Sequence, residues 1–102
     1  MDEIRIIWTN IAVNQRNHIF QFWNTRNKSK NYSIRLNNLI YEKIDLLKTN
    51  SLCGIEIEGE NYRNLHFEKY SLIYKISENT IFIIAFWDNR QNPEKLKTIL
   101  GL

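Results

Sequence analysis

The chain has 102 residues, of which 43% are hydrophobic and 25% charged, and its formal net charge is +3. A chain of this length is expected to form a single domain, residues 1–102, around one apolar core. No segment reaches the roughly 20 apolar residues that a membrane helix requires, and acidic residues follow Met1 where a secretory signal is basic, so we expect a cytoplasmic protein. Cys53 is the only cysteine, which excludes an internal disulfide and a cysteine-rich metal cluster.

The first half of the chain predicts a strand followed by two helices. Residues 4–8 have apolar side chains at alternate positions, the pattern of a short strand with one buried face. Thr9 can cap a helix over residues 10–26, and Ser29 can cap a second helix. Because the connection between them is short, the helices should form an antiparallel hairpin. The second helix would bury an apolar face made of Tyr32, Leu36, Leu39, Ile40, Ile44 and Leu47.

The second half predicts three antiparallel strands and a short C-terminal helix. The helical pattern fails at residue 50, and a loop is predicted over residues 50–60. Alternation then predicts a hairpin with strands near residues 64–68 and 70–76, and residues 80–87 have the apolar composition of a central strand. Helices segregated from consecutive strands indicate an α+β domain with the hairpin on one sheet face. The terminal helix would begin at Pro93 and turn inward Leu96, Ile99 and Leu100.

Charge is unevenly distributed along the chain. Residues 4–41 contain no acidic residue, whereas residues 56–60 contain three glutamates. A basic stretch is either an ordinary solvated face or a positive field that attracts a polyanion or an acidic peptide. The glutamates lie on a predicted loop with no histidine nearby, so no metal site is expected there. The basic residues of the acid-free stretch are Arg5, Arg16, Arg26, Lys28, Lys30 and Arg35.

Several short segments of the chain, taken in order, resemble a known protein family. They are Ile7-Trp8-Thr9 with Ala12, Leu52-Cys53-Gly54, Arg63 with Leu65, Tyr70-Ser71-Leu72-Ile73-Tyr74, and Trp87-Asp88-Asn89-Arg90-Gln91-Asn92-Pro93. No segment is specific alone, but over this length and order the chain resembles the RelE/ParE family of bacterial toxins. The resemblance implies a mostly antiparallel sheet of about four strands packed against the helical hairpin. It also implies a cognate antitoxin protein as partner.

Members of this family differ in their target. Some cleave mRNA in the ribosomal A site, and others poison DNA gyrase. The resemblance leaves both targets open. The occurrence of Arg63 and Arg90 together with tyrosines favours growth inhibition by ribosome-dependent mRNA cleavage, and gyrase inhibition without catalysis is the alternative. Messenger-cleaving relatives commonly end the last strand with further basic residues and an aromatic residue or histidine. Here Gln91, Asn92 and Pro93 follow Arg90, an ending more similar to the gyrase-binding branch.

Four residues are candidates for catalysis by a metal-independent endoribonuclease. Such an enzyme needs a base near the 2′-hydroxyl, cations around the phosphate and an acid at the leaving oxygen. Arg63 and Arg90 match basic positions of the family and could clamp a phosphate if the sheet brings them together. Tyr70 and Tyr74 share one face of a strand and could stack on a base or hold a phosphate. The alternatives are arginines paired with a carboxylate such as Asp88 and tyrosines that only pack.

The expected partners follow from these alternatives. No cofactor and no metal are expected. His66, the only histidine in the strand region, could transfer a proton, although the resemblance places no active-site histidine there. Besides the ribosome and mRNA, or gyrase, the chain should bind an acidic antitoxin segment. That segment is expected against the basic helical hairpin, reaching the sheet near Arg63 and Arg90.

Overall fold

The computed structural model describes residues 3–57 and 61–101. Glu58, Gly59 and Glu60, which belong to the predicted acidic loop, lie outside these residues. The predicted α+β order of strand, helical hairpin, strands and short helix is confirmed. The elements are β1 (Arg5–Trp8), α1 (Asn10–Asn27), α2 (Asn31–Thr49), β2 (Ile55–Glu56), β3 (Tyr62–Phe67), β4 (Tyr70–Ser77), β5 (Thr80–Asp88) and α3 (Pro93–Leu100).

The described strands form one sheet in the order β1-β5-β4-β3-β2. β1 runs parallel to β5, and the other neighbours are antiparallel. The sheet has one strand more than expected, because Ile55 and Glu56, predicted as loop, pair with Asn64 and Arg63. Two residues are too few to show an alternating pattern, so the sequence contains no signal for β2.

The helical hairpin covers one face of the sheet, as predicted. Leu36 and Leu47 of α2 and Leu72 and Phe86 of the sheet are each 0% exposed in this core. Full burial of such a side chain contributes about 1.5–3 kcal/mol. None of the helices in the described ranges is both long and apolar enough to span a membrane.

The short helix α3 covers part of the opposite face of the sheet. Leu100 packs there with Ile73 and Ala85, and Leu96 contacts the same cluster. β5 is therefore covered on both faces, as its apolar composition predicts. Ile99, which was expected to turn inward, is 38% exposed. Leu96 and Leu100 lie four residues apart on one helical face, whereas Ile99 is rotated away from that face.

Thr9 joins the β1–α1 connection to the central strand. Its N–H donates to the carbonyl of Ile83 at 3.0 Å, and its hydroxyl donates to the carbonyl of Ile84 at 3.0 Å. The same hydroxyl accepts the N–H of Ala12 and so caps α1, as predicted. Ile84 lies at a register shift, since Ala85 pairs with Ile73 but Ile83 pairs with Tyr74. Thr9 therefore supplies a donor where the ladder of β5 is irregular.

We expect Thr9→Val, which keeps the shape but removes the hydroxyl, to lower the free energy of unfolding by about 1–2 kcal/mol. The reason is that the substitution removes both the helix cap and the donor to Ile84. Urea denaturation followed by circular dichroism measures the change. Thr9→Ser keeps the hydroxyl and serves as the control, which should retain most of the stability. Equal stability of the Val and Ser variants would contradict this role of the hydroxyl.

Candidate functional site

Arg63 and Tyr74, two of the predicted site residues, hold the loop between α2 and β2. Tyr74 is 0% exposed. Its hydroxyl donates to the carbonyl of Ser51 at 2.7 Å and accepts the N–H of Gly54 at 2.9 Å. Nη1 of Arg63 donates to the carbonyls of Leu52 at 3.2 Å and Gly54 at 2.9 Å. Both side chains therefore bond to the backbone of this loop, and Nη2 of Arg63 also lies 3.9 Å from Oε2 of Glu56.

The loop packs so closely on Tyr74 that only glycine fits at position 54. A Cβ atom at Gly54 would lie 2.6 Å from the Tyr74 hydroxyl oxygen and 2.7 Å from a ring carbon. Burial raises the pKa of the Tyr74 hydroxyl, and the N–H of Gly54 offsets only part of this effect. The hydroxyl therefore stays protonated at neutral pH. Contact of Tyr74 with a substrate stays a prediction, and it would require the loop to open.

Tyr70 is buried on the same face of β4 as Tyr74, as the sequence predicts. It is 0% exposed, and its ring stacks on Phe86 with centroids 5.2 Å apart. Its hydroxyl lies 2.8 Å from the hydroxyl of Tyr32. Burial, followed by this hydrogen bond, raises the pKa of the Tyr70 hydroxyl far above its usual value. Tyr70 is therefore a neutral core residue that ties β4 to the start of α2.

The sheet does not bring Arg63 and Arg90 together. Arg63 pairs with Tyr74, whereas Asp88 pairs with Tyr70 and Arg90 follows beyond it. The two tyrosines are four residues apart, which corresponds to about 13 Å along a strand. The predicted site residues therefore occupy two separate places, with Arg63 and Tyr74 at one and Tyr70 and Arg90 at the other.

Arg90 is paired with Asp88, which is the alternative that the sequence left open. Nη2 of Arg90 lies 2.6 Å from Oδ2 of Asp88, and Nε donates to Oδ1 at 3.0 Å. The backbone N–H of Arg90 also donates to Oδ1. Burial alone would raise the pKa of the Asp88 carboxyl, but the hydrogen bonds and charge of Arg90, with the charge of Lys69, hold it below its usual value. The ion pair is therefore formed at neutral pH.

Three cations surround the indole ring of Trp23. The side chains of Arg26, Lys69 and Arg90 lie 5.7, 5.1 and 5.4 Å from its centroid. The ring centroid of Tyr32 lies 4.7 Å from that of the indole, with the two ring planes tilted by 37°. These contacts are of the cation–π type. Next to them, Arg35 lies over Tyr32 and forms a bidentate pair with Glu68. We call the group the Trp23 cluster; it comprises Trp23, Arg26, Tyr32, Arg35, Glu68, Lys69, Asp88 and Arg90.

The sequence pointed separately to several members of the Trp23 cluster, among them Arg90 and Asp88, but it did not predict that they come together. The members of this cluster come from the end of α1, the start of α2, the β3–β4 turn and the end of β5. No spacing along the chain links Trp23 with Lys69 or Arg90, because only the packed fold brings these elements to one end of the molecule. The nearest signal was the excess of basic residues in residues 4–41, which contributes Arg26 and Arg35.

The acid-free stretch does not form one basic face. Arg26 and Arg35 belong to the Trp23 cluster, whereas Arg16 lies 4.8 Å over the ring of Trp8. A separate groove of about 400 Å³ runs along the helical hairpin, which we call the hairpin groove. Its lining comprises Arg16, Phe20, Asn24, Lys30, Ser33, Ile34, Asn37 and Tyr41.

His66 is exposed at the edge of the sheet and is hydrogen-bonded to Ser71. The Nδ1 atom of His66 lies 3.1 Å from the Ser71 hydroxyl, which donates to Oδ1 of Asn89 at 2.7 Å. Ser71 is 1% exposed and gives its proton to Asn89. A base that activates a nucleophile must instead accept the hydroxyl proton. The arrangement therefore organises the end of β5 and does not prepare Ser71 for attack.

The architecture is that of a small α+β protein with the fold of a ParDE protein. A solved chain described as "Chromosomal ParDE TA system from P. aeruginosa" matches it with a TM-score of 0.69 and 18% sequence identity, covering 82% of this chain and 94% of that chain. A family model, the ParE toxin of type II toxin-antitoxin system, parDE, matches residues 6–93. The chain belongs to this ParE toxin family, which confirms and narrows the resemblance. No sequence among curated proteins matches significantly.

We expect Tyr74→Phe to lower the free energy of unfolding by about 1–3 kcal/mol, because Ser51 and Gly54 would keep buried polar groups without a partner. Arg63→Ala should also cost more than the roughly 0.5 kcal/mol of an ordinary surface substitution. Urea denaturation measures both changes. Tyr41→Phe is the matched control, since Tyr41 is 57% exposed. A Tyr74→Phe protein as stable as the control would show that the loop does not depend on this hydroxyl.

The Asp88–Arg90 pair predicts a specific acid sensitivity. A carboxyl whose folded pKa lies below the unfolded value of about 3.9 stabilises the fold above that value, and the stabilisation is lost as pH falls through the folded pKa. The melting temperature of Asp88→Asn should therefore fall less than that of the unmodified protein on acidification below about pH 4. Calorimetry over this range measures the difference. Glu94→Gln, in an exposed pair with Lys97, is the control and should keep the original acid dependence. A parallel decline in Asp88→Asn would contradict the prediction.

Proposed function

We propose that the protein inhibits growth by binding DNA gyrase and has no catalytic activity of its own. The observation that supports this most directly is that Tyr70 and Tyr74, suited by type to RNA cleavage, are both 0% exposed. Their hydroxyls are bonded to Tyr32, Ser51 and Gly54. Membership of the ParE family supports the same choice, since the gyrase-binding branch carries that name.

Ribosome-dependent mRNA cleavage, the main expectation from the sequence, has weaker support. Two arginines that stabilise one crowded phosphate must both reach it in the transition state. Arg63 is bonded to the carbonyls of the α2–β2 loop, and Arg90 is bonded to Asp88 at the other end of β4. Both would have to leave these partners to meet at one phosphate. A protein that only binds its target requires no such change.

Membership of a toxin–antitoxin family implies an antitoxin partner, and we propose that an acidic antitoxin segment covers the hairpin groove. Ile34 and Tyr41 are each 57% exposed there, and Arg16 and Lys30 also line the groove. An amphipathic segment with acidic residues would match both the apolar and the basic features. Such charge matching mainly speeds association and is screened by salt. The expected continuation of this segment toward Arg63 and Arg90 also stays a proposal.

The target is tested by adding purified protein to a gyrase supercoiling reaction and, separately, to translation of a purified mRNA. We expect supercoiling to be inhibited and translation of intact mRNA to continue. Expression without an antitoxin should also stop bacterial growth. Cleaved mRNA with unaffected supercoiling would overturn the proposal in favour of the nuclease. Normal growth with abundant folded protein would overturn toxicity itself.

A Tyr70→Phe variant sharpens this test. The Tyr70 hydroxyl is buried and cannot contact a bound target, so the folded variant should keep its inhibition of supercoiling. A nuclease that depends on this hydroxyl would lose activity in the same variant. The melting temperature of Tyr70→Phe is measured alongside, so that loss of folding is not counted as loss of activity.

A further inference from the structure

The Trp23 cluster carries more positive charge than its own carboxylates neutralise. Arg35 is paired with Glu68, and Arg90 with Asp88. Arg26 and Lys69 form no ion pair with a carboxylate in residues 3–57 and 61–101, although both lie within 6 Å of the indole centroid.

The cations of the cluster are positioned before any ligand arrives. Contact with the indole restrains Arg26 and Lys69, so less side-chain freedom is lost when they bind an anion. The side chain of Arg90 is 51% exposed, with only Nε and Nη2 bonded to Asp88. Within the described part of the chain, Nη1 of Arg90 has no hydrogen-bond partner and can donate to a ligand. The cluster offers three positioned donors at one end of the molecule.

An apolar cleft adjoins these cations. Its volume is about 250 Å³, and its apolar lining is Ile19, Phe22 and Trp23. The polar residues of its lining are His18, Gln91 and the paired Asp88 and Arg90. Phe22 is 48% exposed and meets Trp23 edge to face, with centroids 5.2 Å apart. The surface therefore combines a half-exposed apolar ring with unpaired cations. Such a surface suits a ligand that has both acidic and apolar groups.

The surroundings of Trp23 favour a protein segment over a nucleic acid. Single-stranded nucleic acids bind through bases stacked on free aromatic faces. Tyr32 and three cations already occupy the surroundings of the indole ring. Duplex binding depends on many phosphate contacts, and the cluster has only two unpaired cations.

From this combination we infer that the Trp23 cluster and its adjoining cleft bind an acidic protein segment. A carboxylate of the segment is held by Arg26, Lys69 and Nη1 of Arg90, and a neighbouring apolar side chain fills the cleft against Ile19 and Phe22. The inference concerns a binding surface that is separate from the hairpin groove. It does not depend on gyrase being the target, because the site is defined by its own charge and shape.

The test uses the full chain labelled with ¹⁵N and a short synthetic peptide in which Asp and Glu alternate with Leu and Phe. The chain has three tryptophans, so its indole N–H resonances are few and can be assigned by substitution. We expect the peptide to shift the Trp23 resonance in a saturable manner and to leave Trp87, which is 6% exposed, unchanged. Trp8 reports separately on the hairpin groove, because Arg16 of that groove lies 4.8 Å from its ring.

Substitutions separate the two parts of the site. Arg26→Gln combined with Lys69→Gln should weaken peptide binding by about tenfold or more, since charged hydrogen-bond partners are lost. Lys48→Gln combined with Lys95→Gln removes the same charge from exposed positions elsewhere and should leave affinity unchanged. Phe22→Ala should weaken the acidic and apolar peptide but not an acidic peptide that lacks Leu and Phe. Melting temperatures show that each variant is folded.

Four results would overturn the inference. One is the absence of a Trp23 shift at saturating peptide, and another is an equal shift from a peptide with Asn and Gln in place of the acids. A third is equal weakening by the Lys48 and Lys95 substitutions, which would reduce the effect to net charge. The fourth is tighter binding at Trp23 by a short duplex or single-stranded DNA than by the peptide, which would assign the surface to nucleic acid.

Discussion

Two buried phenol groups on β4 determine where α2 lies on the sheet. A hydroxyl removed from water lowers stability unless it finds a hydrogen-bond partner, and Tyr70 and Tyr74 are both 0% exposed. The Tyr74 hydroxyl forms hydrogen bonds with the backbone of the loop that follows α2. The Tyr70 hydroxyl forms a hydrogen bond with the hydroxyl of Tyr32 near the start of α2. The helix is therefore tied at both ends to one strand. The loop leading to β2 and the surroundings of Trp23 take their positions from these two bonds.

The order of the elements could be predicted because each long element carries its own apolar periodicity. α2 buries Leu36, Ile40, Ile44 and Leu47 at helical spacing, and β5 is apolar because both of its faces are covered. β2 could not be predicted, because its strand character comes from pairing with β3 and not from its two residues. The outward rotation of Ile99 likewise depends on which side of α3 meets the sheet.

The candidate site was less predictable than the fold, since residue type indicates chemistry but not the partner. Arg63 and Arg90 were candidates because of their charge. In the folded protein Arg63 donates to backbone carbonyls, and Arg90 forms an ion pair with Asp88. Trp23 lies in the segment predicted as the first helix, yet in the fold it becomes the centre of a cationic cluster. Its neighbours Lys69 and Arg90 are more than forty residues away in sequence. Such a site forms only when the elements pack together, and the periodicity of a single sequence carries no information about that packing.

The parallel pairing of β1 with β5 has a consequence for how the chain acquires its fold. Arg5 to Trp8 pair with Thr80 to Ile83, and Thr9 bonds to Ile84, 75 residues later. Bringing β1 and β5 together closes a long segment of chain, and the entropy of that segment is lost before the strand contacts can offset it. This pairing should therefore form late, after the local α1–α2 and β3–β4 hairpins. During synthesis β1 is made before the other described elements, whereas its partner β5 is made after all of them except α3. Until then the edge of β1 has no strand to pair with, which makes the nascent chain dependent on its helical hairpin for early order.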